Sequence, residues 1–402
     1  MPAVKVRGLA VKEWCVDKLD VAIVGAGPVG LSLVNLLAGS GLKVAVVEQQ
    51  AEAGLSAPAF DGREIALAHA TRGWLEQAGI WQQLDPAAIW PLRQASVRDR
   101  HLPFALDVDN RRDPAGAPLG WLVANWRIRQ AAWQAAAQHE HWQLHAGVGL
   151  VGLQRQDAGW QLQLADGRRL QAATVVAADS RFSATRRLLG VGARSRDHGT
   201  AMVVRNMCID KDHQQVAWEW FGEGCTRALL PLQPGVVSAV VTLPSARAQA
   251  LLASDDAAYG QQVSALFEHR WGAMTPCSSA HLYPMVTVYA DRFAGPGFAL
   301  AGDAAVGMHP VTAHGFNFGV RSAGVLARVL RASAQGTGRD AALARYGREH
   351  RLATAPLFNA TGVVAGLFAD SRWPARLARG GAMALATALP PFRQLLRHHL
   401  TA

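Results

Sequence analysis

The stretch Asp20-Val21-Ala22-Ile23-Val24-Gly25-Ala26-Gly27-Pro28-Val29-Gly30 constrains this chain most. A short apolar run that stops at glycine reads as a parallel strand buried on both faces. Residues 31–38 then read as a helix, and Lys43 to Glu48 as a second strand. The whole is a β-α-β unit. Its turn, Gly25 to Gly30 with Ala26, Pro28 and Val29 between the glycines, fits G-x-G-x-x-G. Gly25 permits the tight turn, Gly27 lets a pyrophosphate approach the backbone, and Gly30 allows close helix–sheet packing. The helix start offers unpaired N–H groups and positive potential to phosphates. Glu48 ends the second strand, where a carboxylate can accept hydrogen bonds from a ribose. The unit predicts a bound dinucleotide.

The chain carries its own control. Gly147-Val148-Gly149-Leu150-Val151-Gly152 also fits the pattern. Residues 154–164 read as strand, so no helix follows, and the match is expected to be fortuitous. One such fold serves one dinucleotide. Any second dinucleotide must bind transiently, without such a fold of its own.

Elsewhere the pattern alternates between helix and strand. Residues 63–78 and 128–138 read as helices, and 174–178 and 298–301 as buried strands. Residues 202–243 read as an antiparallel sheet with turns at Gly222, Gly224 and Pro234-Gly235. The expected fold class is α/β. A Rossmann-like domain is assembled from 20–95, 120–190 and 290–335. An antiparallel substrate domain is inserted, from 96–119 and 191–289. A helical region, 336–402, follows, and 1–19 form an extension.

Composition narrows the function classes. With 402 residues and 50% hydrophobic content the chain can bury a large core, which excludes dominant disorder. Its four cysteines are far apart and form no C-x-x-C, so neither a disulfide framework nor a cysteine zinc site is expected, and a reducing compartment is. His139-Glu140-His141 lacks the spacing of a helical metal site, and no metal is expected. The net charge is +10, yet no basic run is interleaved with aromatics, so nucleic acid is not an expected partner. No secretory signal is expected, and the uncharged stretches are broken by Gly, Pro and Asn, so no membrane span is expected either.

A second constellation selects the cofactor. Gly302-Asp303-Ala304-Ala305 follows a buried strand, and His309-Pro310 and His314-Gly315-Phe316-Asn317 come next. An Asp at a strand end can hold a ribityl hydroxyl. The N–H groups that open the next helix can face an anionic flavin edge.

With Asp61-Gly62-Arg63-Glu64-Ile65-Ala66-Leu67 and Asp179-Ser180-Arg181-Phe182-Ser183 through Arg186, these motifs stand in the order found in FAD-dependent aromatic hydroxylases. The chain resembles that family, of p-hydroxybenzoate hydroxylase type. The tail resembles the ubiquinone-biosynthesis branch, UbiH, UbiI and UbiF. Trp218-Glu219-Trp220-Phe221 and the segment from Gly302 to Asn317 are most similar to UbiM. Three positions depart from the family pattern: Ser180 stands for Gly, Val306 for His, and Asn125 for an Arg that touches FAD.

The resemblance implies several roles. Arg63 contacts the pyrophosphate and the path of NAD(P)H, Asp179 and Arg186 lie along the dinucleotide, and Asp303 binds the ribityl chain. Pro310 sits beside the reactive flavin edge, with the Phe316 and Asn317 backbone at O2, and Gly315 is a further cofactor-binding residue. His309 and His314 are the candidate polar groups near the ring. The implied activity is NAD(P)H- and O2-dependent hydroxylation of a polyprenylated phenol, with ring carbon 5 favoured and other positions open. The alternative is a non-catalytic FAD-binding subunit of a lipid-modifying assembly. A prenyl tail needs an apolar tunnel, for which 236–243 and 357–368 are candidates. Residues 371–402 hold Arg372, Arg376, Arg379, Arg393 and Arg397 and no acid. They could form a basic surface for an anionic bilayer or a partner of a ubiquinone-biosynthesis complex. The expected location is cytoplasmic, with peripheral contact at the membrane.

Overall fold

The computed structural model describes residues 18–99, 102–109, 116–157, 159–222, 224–309, 314–334, 338–369 and 380–381. The strand Lys18–Val24 pairs in parallel with Val44–Val47 on one side and Arg169–Ala177 on the other. Trp142–His145 and Phe298–Leu300 extend the parallel sheet outward, and Ala294–Gly295 closes one edge. Alternation along each strand sorts two cores. Val21, Ile23, Val44, Val46 and Val176 pack under the helices Pro28–Leu37, Asn125–Ala136 and Gly315–Ala334. Ala22, Val24, Ala45, Val47 and Val175 pack against the hairpin side, with Leu162, Tyr289 and Phe293.

That hairpin, Leu150–Gln156 with Gly159–Leu164, lies where the second glycine motif occurs. No helix follows the motif, and Gly147 and Gly149 serve a turn leading into a strand.

Residues 63–78 are not one helix. Glu64–Leu67 is a strand paired antiparallel with Gly120–Ala124, and the helix His69–Gln77 begins after Ala68. The Asn317 side chain enforces the break. Its amide donates to the Ala66 carbonyl (2.9 Å), and its oxygen accepts from the Ala68 N–H (3.1 Å). Trp90–Leu92 completes this three-stranded sheet.

The second large sheet is built around the 17-residue strand Ala193–Ile209. It is flanked by Val236–Pro244 and His281–Ala290, and continues through Cys225–Pro231 and Val216–Gly222 to Gln94–Asp99 and Ala105–Asp109. Val306–Gly307, directly after the Gly302–Ala304 turn, pairs with Val288 and Tyr289. The cofactor segment is thereby stitched to the substrate sheet. One face of this sheet packs on the helices Ser245–Leu252 and Asp256–Leu266, burying Val203, Met207, Trp220, Leu229, Val241, Tyr259 and Trp271 together.

The helix Arg339–Ala369 lies on the parallel-sheet domain. Tyr346 donates to the Leu300 carbonyl (2.6 Å), and Glu349 pairs with Arg328 (2.9 Å). Leu357 and Phe358 pack beside Tyr289, at the end of the strand His281–Ala290 where the substrate sheet joins the core of the parallel-sheet domain. No helix among the described residues is long and apolar enough to cross a membrane. The basic segment 371–402 lies outside the described residues except for 380–381.

Candidate cofactor and substrate site

The glycine turn behaves as its spacing requires. Gly25 has φ +111°, and a Cβ there would overlap the Ala178 carbonyl at the end of the neighbouring strand. A Cβ on Gly30 would overlap the Gly25 carbonyl oxygen. Gly27, in contrast, has nothing within 4 Å on its Cβ side. Open space lies at the one glycine that must admit a pyrophosphate, and the two packed glycines hold the turn. Pro28 opens the helix, where its missing N–H leaves no orphan donor.

Glu48 stands where the second strand ends. One carboxylate oxygen accepts from Ala26 N–H (2.7 Å) and the other from Gln50 N–H (2.8 Å). These bonds fix the carboxylate against the glycine turn. A cavity beside it is lined by Gly25, Glu48, Gln49, Asp179, Ser180 and Thr185, among others. It has the place and polarity of an adenosine ribose site, so the residues present fit FAD.

Asp179 borders this cavity, but its carboxylate is committed. It accepts from Ser183 Oγ, Thr185 N–H (3.0 Å) and Thr185 Oγ1 (2.9 Å), and so organises the short helix Ala184–Leu188. Ser180 adopts φ +118°, a region that favours glycine, which accounts for the glycine usual at this position. Arg186 is buried, with its guanidinium turned to the carbonyls of Arg181 (3.2 Å) and Ala304 (2.9 Å). It braces the backbone of two cofactor segments.

The third cofactor segment meets the first at Val29. Gly302 (φ +58°) and Gly319 both face the Val29 side chain, where their Cβ atoms would crowd it. Gly302 N–H donates to Ser322 Oγ (3.0 Å). Asp303 pairs with Arg181, whose Nε and Nη2 lie at 3.1 and 2.8 Å. Arg181 also donates to the Val286 carbonyl in the substrate sheet (2.9 Å). Sequence reasoning did not assign Arg181 a role. Its signal was the arginine two residues after Asp179, and only the fold brings it to Asp303.

Asn125 does not reach outward. It is buried and donates to Asp61 Oδ2 (2.7 Å), while its N–H donates to the Arg63 carbonyl (2.9 Å). Asp61 in turn pairs with Arg63 (2.6 Å). Arg63 lies over the Tyr283 ring, 5.0 Å from its centroid, and Tyr283 Oη donates to the Asp61 carbonyl (2.6 Å). Asp61, Arg63, Asn125 and Tyr283 form one knot between the parallel-sheet domain and the substrate sheet. Glu64, next in sequence, has its carboxyl pushed up to about 8 by burial and by Asp61.

His309 is half-buried beside His198, with ring centroids 5.1 Å apart. Burial, with His198 and Arg181 adding to it, pulls His309 down to about 4, so its ring is neutral at neutral pH. His314 lies at the start of the Gly315–Ala334 helix, against Phe318 (6.1 Å). The two histidines flank the segment that holds Pro310, which lies outside the described residues. Gly315 and Phe316 open that helix, and the Asn317 side chain is occupied by the 66–68 clamp. Trp218 and Trp220 stack at 5.2 Å in the core with Trp271.

Comparison with known proteins places this site in context. Residues 18–360 match the model described as FAD binding domain. The chain is 38% identical over 389 residues to the ubiquinone hydroxylase UbiM of Neisseria meningitidis, covering 95% of this chain and 84% of that one. It is 31% identical to the ubiquinone hydroxylase UbiL of Rhodospirillum rubrum, covering 95% and 90%. It is 30% identical to the 3-demethoxyubiquinol 3-hydroxylase of Escherichia coli, covering 77% and 79%. Among solved structures, the p-nitrophenol 4-monooxygenase PnpA of Pseudomonas putida superposes with TM-score 0.77 at 18% identity, over 96% of this chain and 99% of that one. The chain belongs to the FAD-dependent monooxygenases built on this FAD-binding domain, in the family that holds the ubiquinone hydroxylases.

Proposed function

We propose that this monooxygenase hydroxylates the aromatic ring of a polyprenylated phenol on the route to ubiquinone. The observation that carries the reading is a juxtaposition. The cofactor segments at Asp179–Ser183 and Gly302–Ala304 are tied to one edge of an antiparallel sheet, through Arg181 to the Val286 carbonyl and through Val306–Gly307 to Val288 and Tyr289, and the inner face of that sheet is apolar and half-exposed. That face carries Met202, Ala228, Leu230 and Val240, with Tyr283 at the cofactor end. Relatives with the similarity given above are named for ubiquinone and demethoxyubiquinol.

FAD held by these residues would supply the chemistry of accepting a hydride from NAD(P)H and transferring one oxygen atom of O2 to the ring. The protein supplies the rest. The open Gly27 and the Pro28–Leu37 helix start hold the pyrophosphate. Glu48 meets the ribose, and the Asp303–Arg181 pair meets the ribityl side. Neutral His309 can accept or donate one hydrogen bond without adding charge near the ring. The apolar sheet face keeps water from the reacting ring and orients it. A membrane-dwelling tail favours work at the bilayer surface, and the arginines of 371–402 suit an anionic surface or a partner enzyme.

The test is turnover. Purified holoprotein with NAD(P)H and a short-chain prenylphenol under air is expected to consume reductant only when the phenol is present. The product should be heavier by one oxygen. Bound flavin with reductant consumption independent of every phenol offered overturns the reading.

A further inference from the structure

The substrate sheet has a second face, turned away from Tyr283 and packed on the helices Ser245–Leu252 and Asp256–Leu266. On this face Ser96 stands beside Trp218, and Arg98 beside Trp220. Arg227 flanks Trp220 on its other side. Side chains directly opposite on paired strands share a face, so these five residues lie together. The two indoles pack there against Trp271.

Arginines gather around these rings. The Arg98 guanidinium lies 4.9 Å from the Trp218 centroid. The Arg270 guanidinium, from the turn that follows Asp256–Leu266, lies 4.1 Å from the same centroid. Partial burial and the neighbouring Arg98 both disfavour the charge of Arg270, and Glu268 on the same turn offsets this in part. Arg227 is 2% exposed, and its Nη1 donates to the Leu266 carbonyl at the end of that helix.

The hydrogen-bonding capacity of this cluster is not spent. Arg98 Nε, Arg227 Nε, Arg227 Nη2 and Ser96 Oγ are buried without a hydrogen-bond partner among the described residues. Ser96 is 1% exposed. A buried donor without an acceptor costs stability, and like charges set side by side add to the cost. All four atoms can donate, so what the cluster lacks is an acceptor carrying negative charge. Arg98 is half-buried and Arg270 is exposed, so the cluster opens to solvent on their side.

We propose that this cluster binds a phosphate-like oxyanion, held between the guanidiniums of Arg98 and Arg270 beside Trp218, with Ser96 donating from the sheet and Arg227 adding positive charge from beyond Trp220. Guanidinium forks match the oxygens of such an anion, and their charge strengthens each bond. Ser96 and Arg98 approach from the sheet, and Arg270 from the helix layer. A tetrahedral anion presents oxygens in both directions, which a planar carboxylate does not. The bound anion ties the strand Gln94–Asp99 to the turn that carries Arg270. The inference is independent of the substrate class proposed above.

The test is calorimetric titration of the oxidised holoprotein, whose FAD fills the pyrophosphate turn, with inorganic phosphate and with acetate at constant ionic strength. Wild type is expected to bind a single phosphate with a Kd of about 1 mM or tighter, and to prefer it to acetate by at least about tenfold. Its melting temperature should rise in phosphate. Arg270→Gln is expected to weaken phosphate binding by at least about tenfold and to lose that rise, with FAD content unchanged. Arg98→Gln should do the same, and it carries the comparison if Arg270→Gln fails to fold. Phosphate binding that both variants retain places the anion elsewhere and overturns the inference. A wild type without saturable phosphate binding, or one that binds acetate equally well, overturns it too.

Discussion

The two glycines of the turn that face opposite surroundings make a clean pair of experiments. Gly30 touches backbone, so Gly30→Ala must push the helix from the strand. We expect a loss of about 3 kcal/mol in urea unfolding, typical of overpacking. Gly27 faces open space, so Gly27→Ala should fold normally. Its methyl group would then occupy the path of the pyrophosphate, and FAD affinity, read by flavin fluorescence, should fall about ten- to a hundred-fold. Ser180 offers the opposite case. Its φ of +118° costs a non-glycine residue about 1–3 kcal/mol. Glycine gives back part of that through the greater freedom of the unfolded chain. Ser180→Gly should therefore gain about 1 kcal/mol by the same unfolding measurement.

Elements are held by single side chains that bridge distant segments, and this explains what could be read in advance. The β-α-β unit was legible because its signals are local: an apolar run, three glycines and a strand-end Glu48 within 29 residues. The strand Glu64–Leu67 was not, because its partner Gly120–Ala124 is far away in sequence and Asn317 fixes its end. The locations of Asp303 and Asp179 were legible as strand ends. Their commitments to Arg181 and Thr185 were not, since these depend on how the following turns fold back. Asn317→Ala should lose about 2 kcal/mol, from two bonds that cap a strand and start a helix, and should lower FAD affinity as the Asp61–Arg63 knot loosens.

The helix Arg339–Ala369 docks through a buried histidine, which gives the element a pH signature. His350 lies between Tyr346 and Phe293, with neither ring nitrogen hydrogen-bonded among the described residues. Burial pulls it from the ordinary 6.5 to about 3. A depressed histidine stays neutral in the fold, while the unfolded chain takes up a proton below pH 6.5. Its contribution is therefore complete above that pH and is lost as pH falls toward 3. At pH 5 the loss is about 2 kcal/mol. Urea unfolding at pH 7 and pH 5 should show wild type losing about that much more than His350→Leu. Equal losses would remove the histidine from the acid sensitivity of this helix.

At the scale of the molecule, two domains must close on a ring without admitting water, and polar contacts near the cofactor segments join them. Tyr283 makes one of these contacts. Its hydroxyl donates to the Asp61 carbonyl, and its ring lies under Arg63, so one side chain fixes both the sheet and the cofactor-side loop. Tyr283→Phe keeps the ring and removes only the bond, at about 1 kcal/mol. Global stability should change little, and FAD should remain bound, because Gly27, Glu48 and Asp303 are untouched. What should change is the fidelity of oxygen transfer. A sheet edge free to separate from Asp61 lets water reach the reacting ring. NAD(P)H consumption should then outrun hydroxylated product, with the difference appearing as hydrogen peroxide. Measuring reductant, product and peroxide together tests this. A variant with wild-type coupling would show that the seal is made elsewhere, along Leu92, Leu119 and Val108 at the opposite end of the face.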